Sequence, residues 1–133
     1  MTNIVIDTNV IVSAVLSPTG SPAAVVSLIS ETETLQVFYS SAILDEYKRV
    51  LAYERLNISE EKQDTVLNTL QKFGILIEPP VSAAPMMDET DRTFFDTANA
   101  SGAVLITGNL RHYPAMPFIM TPAGFLRKLT QEL

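Results

Sequence analysis

An α/β three-layer sandwich, with a mostly parallel central sheet of four or five strands flanked by helices, is expected for this chain on two grounds. Extended and helical patterns alternate from one end to the other, and the extended runs are apolar on successive residues, as strands covered on both faces must be. Ile4-Val5-Ile6-Asp7 opens as a buried strand closed by a carboxylate, and a helix is expected from Val10 onward. Ser21-Pro22 reads as a helix start, Ser as N-cap and Pro at the first helical position, with Val25, Val26 and Ile29 at helical spacing. Residues 36–39 form the second strand. Ile43, Leu44, Tyr47, Val50 and Leu51 then recur at three- and four-residue steps, which predicts an amphipathic helix beginning near Ser40 or Ser41.

Ser59-Glu60-Glu61 caps a further helix with Val66, Leu67, Leu70 and Phe73 on its apolar face, and Gly74 stops it before the strand Ile75-Leu76-Ile77. The segment from Pro79 to Pro85 contains three residues without an amide donor and reads as a loop. From Asp88 a helix carries Phe94, Phe95 and Ala98 to Gly102, and the strand 103–107 follows. After a Gly108-Asn109 turn come a short strand at 118–120 and a last helix capped by Thr121-Pro122. With no repeat, low-complexity tract or internal linker, residues 1–133 are expected to form a single domain.

Composition narrows the function. A chain of 133 residues that is 47% hydrophobic and 18% charged can build a core, so disordered and disulfide-scaffold classes drop out; it has no cysteine. No apolar run approaches a membrane span, and Met1-Thr2-Asn3 leads into the first strand without the features of a secretory signal. A soluble protein in the cytoplasm, with no membrane association, is the expectation. Nine Lys and Arg against fifteen Asp and Glu leave a formal charge of -6, which opposes nucleic-acid binding through bulk electrostatics. An acidic cluster that holds divalent cations nevertheless reverses its own local sign.

Ligand sites in open parallel sheets form beyond the carboxyl ends of the strands. Asp7 and Asn109 sit there, with Thr107 and Gly108 between strand and Asn109. Asp7 could simply cap the next helix, but Thr8 or Asn9 would serve as well, so a carboxylate at Asp7 points to function. At about 100° per residue, Asp91 lies within roughly 60° of Phe94, Phe95 and Ala98, on the core side where an unpaired carboxylate is costly. Its alternative role is to complement a helix start together with Asp88 and Glu89. Asp96 falls about 140° from Asp91 and is expected to be solvated. Glu46 rims the apolar stripe of its helix and joins the set as a third acidic partner, while Asp45 turns outward.

Convergent carboxylates with no cysteine and a single histidine, His112, select a hard oxygen-seeking cation, Mg²⁺ or Mn²⁺, over zinc. Such an ion lowers the pKa of bound water and stabilises charge during phosphodiester displacement. Lys48, Arg49, Arg92 and Arg111 cluster near Glu46, Asp91 and Asn109, a local reversal of sign that suits a phosphate backbone. Removal of mutually repelling carboxylates at such a site should leave stability unchanged or raise it.

These residues resemble a family. Ile4-Val5-Ile6-Asp7-Thr8-Asn9-Val10, Glu46 on its helix, Asp91 eleven residues before Gly102, and Leu105-Ile106-Thr107-Gly108-Asn109 are similar to the PIN-domain ribonucleases, nearest to the bacterial toxin components of toxin-antitoxin pairs. The resemblance implies a metal-dependent endoribonuclease acting on single-stranded RNA, with an antitoxin partner and a homodimer. It assigns Asp7, Glu46 and Asp91 as acidic ligands and Asn109 to the fourth position of the catalytic set, with Thr8, Asn9 and Thr107 in support. Lys48, Arg49, Arg92 and Arg111, by their clustering near the acids, and His112 are the candidate RNA contacts.

Asn109 departs from the pattern, since many members carry Asp there. Asn brings a neutral oxygen and a donor, so occupancy by two metals then depends on substrate, or on Asp96 or Asp88 joining the site. A phosphoacceptor domain fits poorly, because Glu78-Pro79 follows the middle strand where the phosphorylated Asp would stand and 118–120 contains no lysine. An aspartate-nucleophile phosphatase would want a carboxylate where Asn9 stands. The stronger rival is a PIN-like module that binds RNA or protein without cleavage.

Overall fold

The structure, a computed structural model, describes residues 1–132. Eleven regular elements follow one another: β1 (Thr2–Ile6), α1 (Thr8–Leu16), α2 (Ser21–Glu31), β2 (Leu35–Tyr39), α3 (Ser41–Leu51), α4 (Glu60–Phe73), β3 (Ile75–Leu76), α5 (Arg92–Ser101), β4 (Val104–Ile106), β5 (Ile119–Met120) and α6 (Pro122–Gln131). The five strands form one sheet in the order β3-β2-β1-β4-β5, and every pairing is parallel. This is the three-layer α/β sandwich expected from the hydrophobic pattern.

The centre of the sheet explains the consecutive apolar residues. Ile4, Val5 and Ile6 are fully buried, as are Leu105 and Ile106 beside them, because helices cover both faces. Helix α5 packs across β1, β2 and β4, and α1, α2, α4 and α6 pack among themselves. The edge strand β3 differs. Its Ile75 and Leu76 are 44% and 50% exposed. No single described helix is long and apolar enough to cross a membrane.

Three helix starts move from their expected places, and β2, β4 and β5 each begin one residue from theirs. Helix α1 begins at Thr8, with Asp7 itself as N-cap. Helix α2 takes Gly20 as N-cap, making Ser21 its first helical residue, and no side chain caps it. The segment from Asp88 is a 3-10 turn, Glu89–Asp91, before α5 proper.

Strand order reverses at β1. Connections from β1 run outward through β2 to β3, and the chain then crosses back to lay β4 on the other side of β1. A crevice at such a switch point is open to side chains that follow both strands, here Asp7 and residues 107–109.

Candidate active site

The floor of the crevice is built around Asp7, which is 5% exposed. Its Oδ1 accepts the Thr8 backbone N–H at 2.8 Å. Its Oδ2 accepts from Thr107 Oγ1 at 2.8 Å, Tyr113 Oη at 3.0 Å and Asn9 Nδ2 at 3.1 Å. Helix capping and site formation are therefore the work of one side chain, with the two oxygens dividing the tasks. Asn9 extends the web: its Oδ1 accepts the Gly108 N–H at 2.9 Å, while Thr107 Oγ1 accepts the Asn109 N–H at 3.0 Å. A Cβ on Gly108 would stand 3.1 Å from Asn9 Oδ1, so a bare backbone suits this close approach.

Helix α3 supplies the second carboxylate. Ser40 caps it by accepting from the Ile43 N–H, and the buried Tyr47 hydroxyl donates to the Ile6 carbonyl at the end of β1. That tether brings the preceding residue, Glu46, beside Thr8, whose hydroxyl donates to Glu46 Oε2. Burial, opposed by the Thr8 bond and joined by repulsion from Asp7, holds the Glu46 carboxyl above its ordinary range. Arg49 stands 3.9 Å from Glu46 on the cleft side.

Asp91 joins the lining from the junction of the 3-10 turn with α5. Its Oδ2 is buried and has no hydrogen-bond partner, although His112 Nδ1 lies 3.5 Å away. Burial first, and then the charges of Asp7 and Asp88, raise this carboxyl to about 6. Asp88 is exposed and turns to the Thr90 N–H and hydroxyl, which lower its own pKa.

Asp7, Glu46, Asp88, Asp91, Asn109 and His112 all line one cleft of about 630 Å³. The structure thus brings the expected acids to one side of the molecule. Thr8 and Asn9 share that cleft, and Asn109 is exposed on its edge. Among the described residues, no three acidic or histidine side chains converge tightly enough to enclose an ion unaided. Water or substrate oxygens would complete the coordination shell, as Mg²⁺ ordinarily requires. The donor chemistry itself fits a hard cation: carboxylate oxygens predominate beside the single imidazole of His112, and one buried carboxylate oxygen has no hydrogen-bond partner.

The basic residues separate. Arg49 and His112 line the cleft, whereas Arg111 lies in an adjoining concavity with Asn109, His112 and Thr121. Lys48 is exposed on α3 away from the cleft lining. The Arg92 guanidinium is committed elsewhere: to both Glu89 oxygens, and at 2.8 Å to the Ser82 carbonyl. It braces the proline-rich loop.

Asp96 overturns its expected solvation. It is 4% exposed, and its Oδ2 accepts the Ser82 N–H at 3.1 Å. Helical phase alone predicts a single buried stripe on α5, but the loop covers a second side, so residues 94–98 are buried in succession. Asp96 is also absent from the cleft lining, which leaves Asp88 as the nearer supplementary acid. Tyr113 and Tyr53 were not foreseen. Tyr113 is 106 positions from the Asp7 it touches, and no local pattern marked it.

An all-parallel α/β sandwich whose carboxylates collect at the sheet's switch point is thereby defined. Residues 3–111 match the PIN domain family, and the chain belongs to it. It is 32% identical over 109 residues to the uncharacterized protein MJ1680 of Methanocaldococcus jannaschii, covering 80% of this chain and 70% of that one. Among solved structures it is similar to PAE2754 of Pyrobaculum aerophilum, with a TM-score of 0.63 and 15% identity over 98% of this chain and 96% of that one. It is also similar to VapBC2 of Rickettsia felis, determined bound to a DNA fragment from their promoter. There the TM-score is 0.60 and the identity 17%, over 90% and 97% of the two chains.

Proposed function

We propose that this protein is a metal-dependent endoribonuclease that cleaves single-stranded RNA, and the toxin of a toxin-antitoxin pair. One observation carries the reading: Asp91, whose Oδ2 is buried without a hydrogen-bond partner, lines the same cleft as Asp7 and Glu46. PIN domains are generally nucleases and typically use divalent metals. Similarity to VapBC2, a toxin-antitoxin complex, supports the pairing with an antitoxin.

Asp7, Glu46 and Asp91 would hold Mg²⁺ or Mn²⁺, which when bound supplies an acidified water and neutralises charge on the phosphate. The residues of the chain prepare that event. Thr107, Tyr113 and Asn9 fix Asp7 Oδ2, so that Oδ1, with a single protein donor, offers the remaining acceptor capacity. Thr8 orients Glu46 through its hydroxyl. Without an ion, Asp91 retains a proton up to about pH 6, and its charged form is costly until a cation compensates it. Asn109 offers a neutral oxygen and a donor at the cleft edge, suited to a substrate oxygen or a water. A cytoplasmic homodimer is the assembly proposed with this activity, and size-exclusion chromatography with light scattering tests it.

Asn109 also sustains the second reading, a domain that binds RNA or protein without cleavage, because it withholds a fourth charge. A defined single-stranded RNA with Mn²⁺ decides between them. The parent should yield 5′-phosphate products, lose activity with chelator and lose it in both Asp7→Asn and Asp91→Asn. Equal cleavage by parent and Asp7→Asn would expose a contaminating nuclease and leave the binding module standing.

A further inference from the structure

Part of the lining of the acid-lined cleft is made of an aromatic ring and two guanidinium groups. Beyond Glu46 the chain leaves α3 through Tyr53 and enters the 3-10 turn Glu54–Leu56. Arg49, Tyr53 and Arg55 all line the same cleft as Asp7 and Asp91. Arg49 Nη1 donates to the Tyr53 hydroxyl at 2.6 Å, and the Arg55 guanidinium lies over the Tyr53 ring, 5.2 Å from its centroid. Tyr53 is thus held at its tip by one cation and on a face by another. Two of the nine basic residues in a chain of charge -6 are spent on this short stretch.

A local cation-π contact closing a helix end would account for Arg55 alone. It does not account for Arg49, which reaches from α3 to the same ring while also facing Glu46. Nor does it account for the position of all three on the cleft, alongside the apolar side chains Val12, Val50 and Leu56. Aromatic rings and stacked guanidinium planes bordered by positive charge are the means by which proteins hold unstacked bases next to a phosphate backbone.

We propose that Tyr53 and Arg55 form a stacking ledge for one unpaired nucleobase of the substrate strand, with Arg49 neutralising an adjoining phosphate. The inference deepens the nuclease reading and rests on it for the presence of a nucleic-acid strand. It assigns a cause to single-strand selectivity: a base must leave any duplex before its backbone can lie against the acids. The ledge reads the π-face of the base, so it tolerates sequence and rejects pairing.

The test is binding, measured apart from cleavage. Parent protein, Tyr53→Phe, Tyr53→Leu and Arg55→Gln are titrated in Ca²⁺ against a short single-stranded RNA carrying 2-aminopurine, the same strand in a duplex, and a version with one abasic position. The parent should quench the fluorophore and prefer the single strand. Tyr53→Phe should bind within about twofold of the parent, since stacking survives loss of the hydroxyl. Tyr53→Leu should weaken binding roughly ten- to a hundredfold and abolish the quench. Arg55→Gln, which leaves the ring in place, should fall between. The abasic strand should cost the parent a factor that Tyr53→Leu no longer pays.

Equal affinity and quench for Tyr53→Leu and the parent would overturn the ledge, as would failure of the parent to bind any single strand. The two readings fail separately. Cleavage in Mn²⁺ with an unchanged KM in Tyr53→Leu retains the nuclease and removes the ledge. Base-dependent binding with no cleavage by the parent retains the ledge and removes the nuclease.

Discussion

Asp7 and Asp91 line one cleft and are held in opposite ways. Asp7, on the floor between β1 and β4, receives four donors from Thr8, Asn9, Thr107 and Tyr113. Asp91, on the wall where α5 begins, keeps a buried oxygen with none, and its pKa is raised to about 6. A saturated carboxylate contributes to the fold because its partners would otherwise be buried and unsatisfied. An unsaturated one stores repulsion that a bound cation relieves. The difference teaches that a shared cleft does not imply a shared energetic role.

The largest effect that can break this comparison is on activity, where the two should agree. Asp7→Asn and Asp91→Asn are each expected to reduce initial rates of RNA cleavage in Mn²⁺ by a hundredfold or more, several kcal/mol of transition-state stabilisation. Retention of more than a tenth of the parent rate by either variant would remove that residue from the metal-binding set.

On stability the two should part. Asp7→Asn places an amide N–H₂ among donors and is expected to cost about 1–3 kcal/mol in urea denaturation. The expectation that removing either carboxylate is harmless therefore divides, and only Asp91 retains it. At pH 7.5 without metal, Asp91→Asn should stabilise by about 1 kcal/mol, a figure reduced for the solvent access of a half-buried group. The same sign of change for both variants would erase the distinction drawn between floor and wall.

The pH dependence sharpens the point. Asp91 binds its proton more tightly when folded, about 6 against an ordinary 3.8, so its favourable contribution is complete below pH 3.8 and disappears as pH rises through 6. The stability gain of Asp91→Asn over the parent should accordingly emerge between pH 4 and pH 6 and level off above, in thermal melts without metal. Added Mn²⁺ should favour the parent over that variant most strongly above pH 6. A gain independent of pH would assign the effect to packing.

The smallest expected effect is at Tyr113. Tyr113→Phe removes a single donor from Asp7 Oδ2 and should cost about 1 kcal/mol, leaving Thr107 and Asn9 in place. A cost beyond that of Asp7→Asn would show that the hydroxyl does more than donate to Asp7, since Phe retains the ring.

Much of this was legible beforehand because it is written in short-range pattern. Asp7 and Asn109 follow apolar runs that can only be covered strands, which places them on the edge where ligand sites form. Asp91 betrayed itself by lying in phase with Phe94 and Phe95. Long-range packing was not legible. Asp96 looked solvated because nothing nearby in sequence announces that the proline-rich loop folds over it, and Arg92 looked free because Ser82 is ten residues away. Tyr113 bears no local mark of its contact with Asp7. Tyr53 and Arg55 lay beyond the predicted end of a helix and acquired meaning only when α3 turned them toward the acids.

The reach of the Asp7 bonds also bears on synthesis. Thr107 and Tyr113 meet Asp7 across 100 and 106 positions of chain, so a ribosome must emit nearly the whole polypeptide before the first carboxylate it made is gripped. Truncated or still-growing chains lack the finished floor, so the cleft is completed only when translation is nearly over.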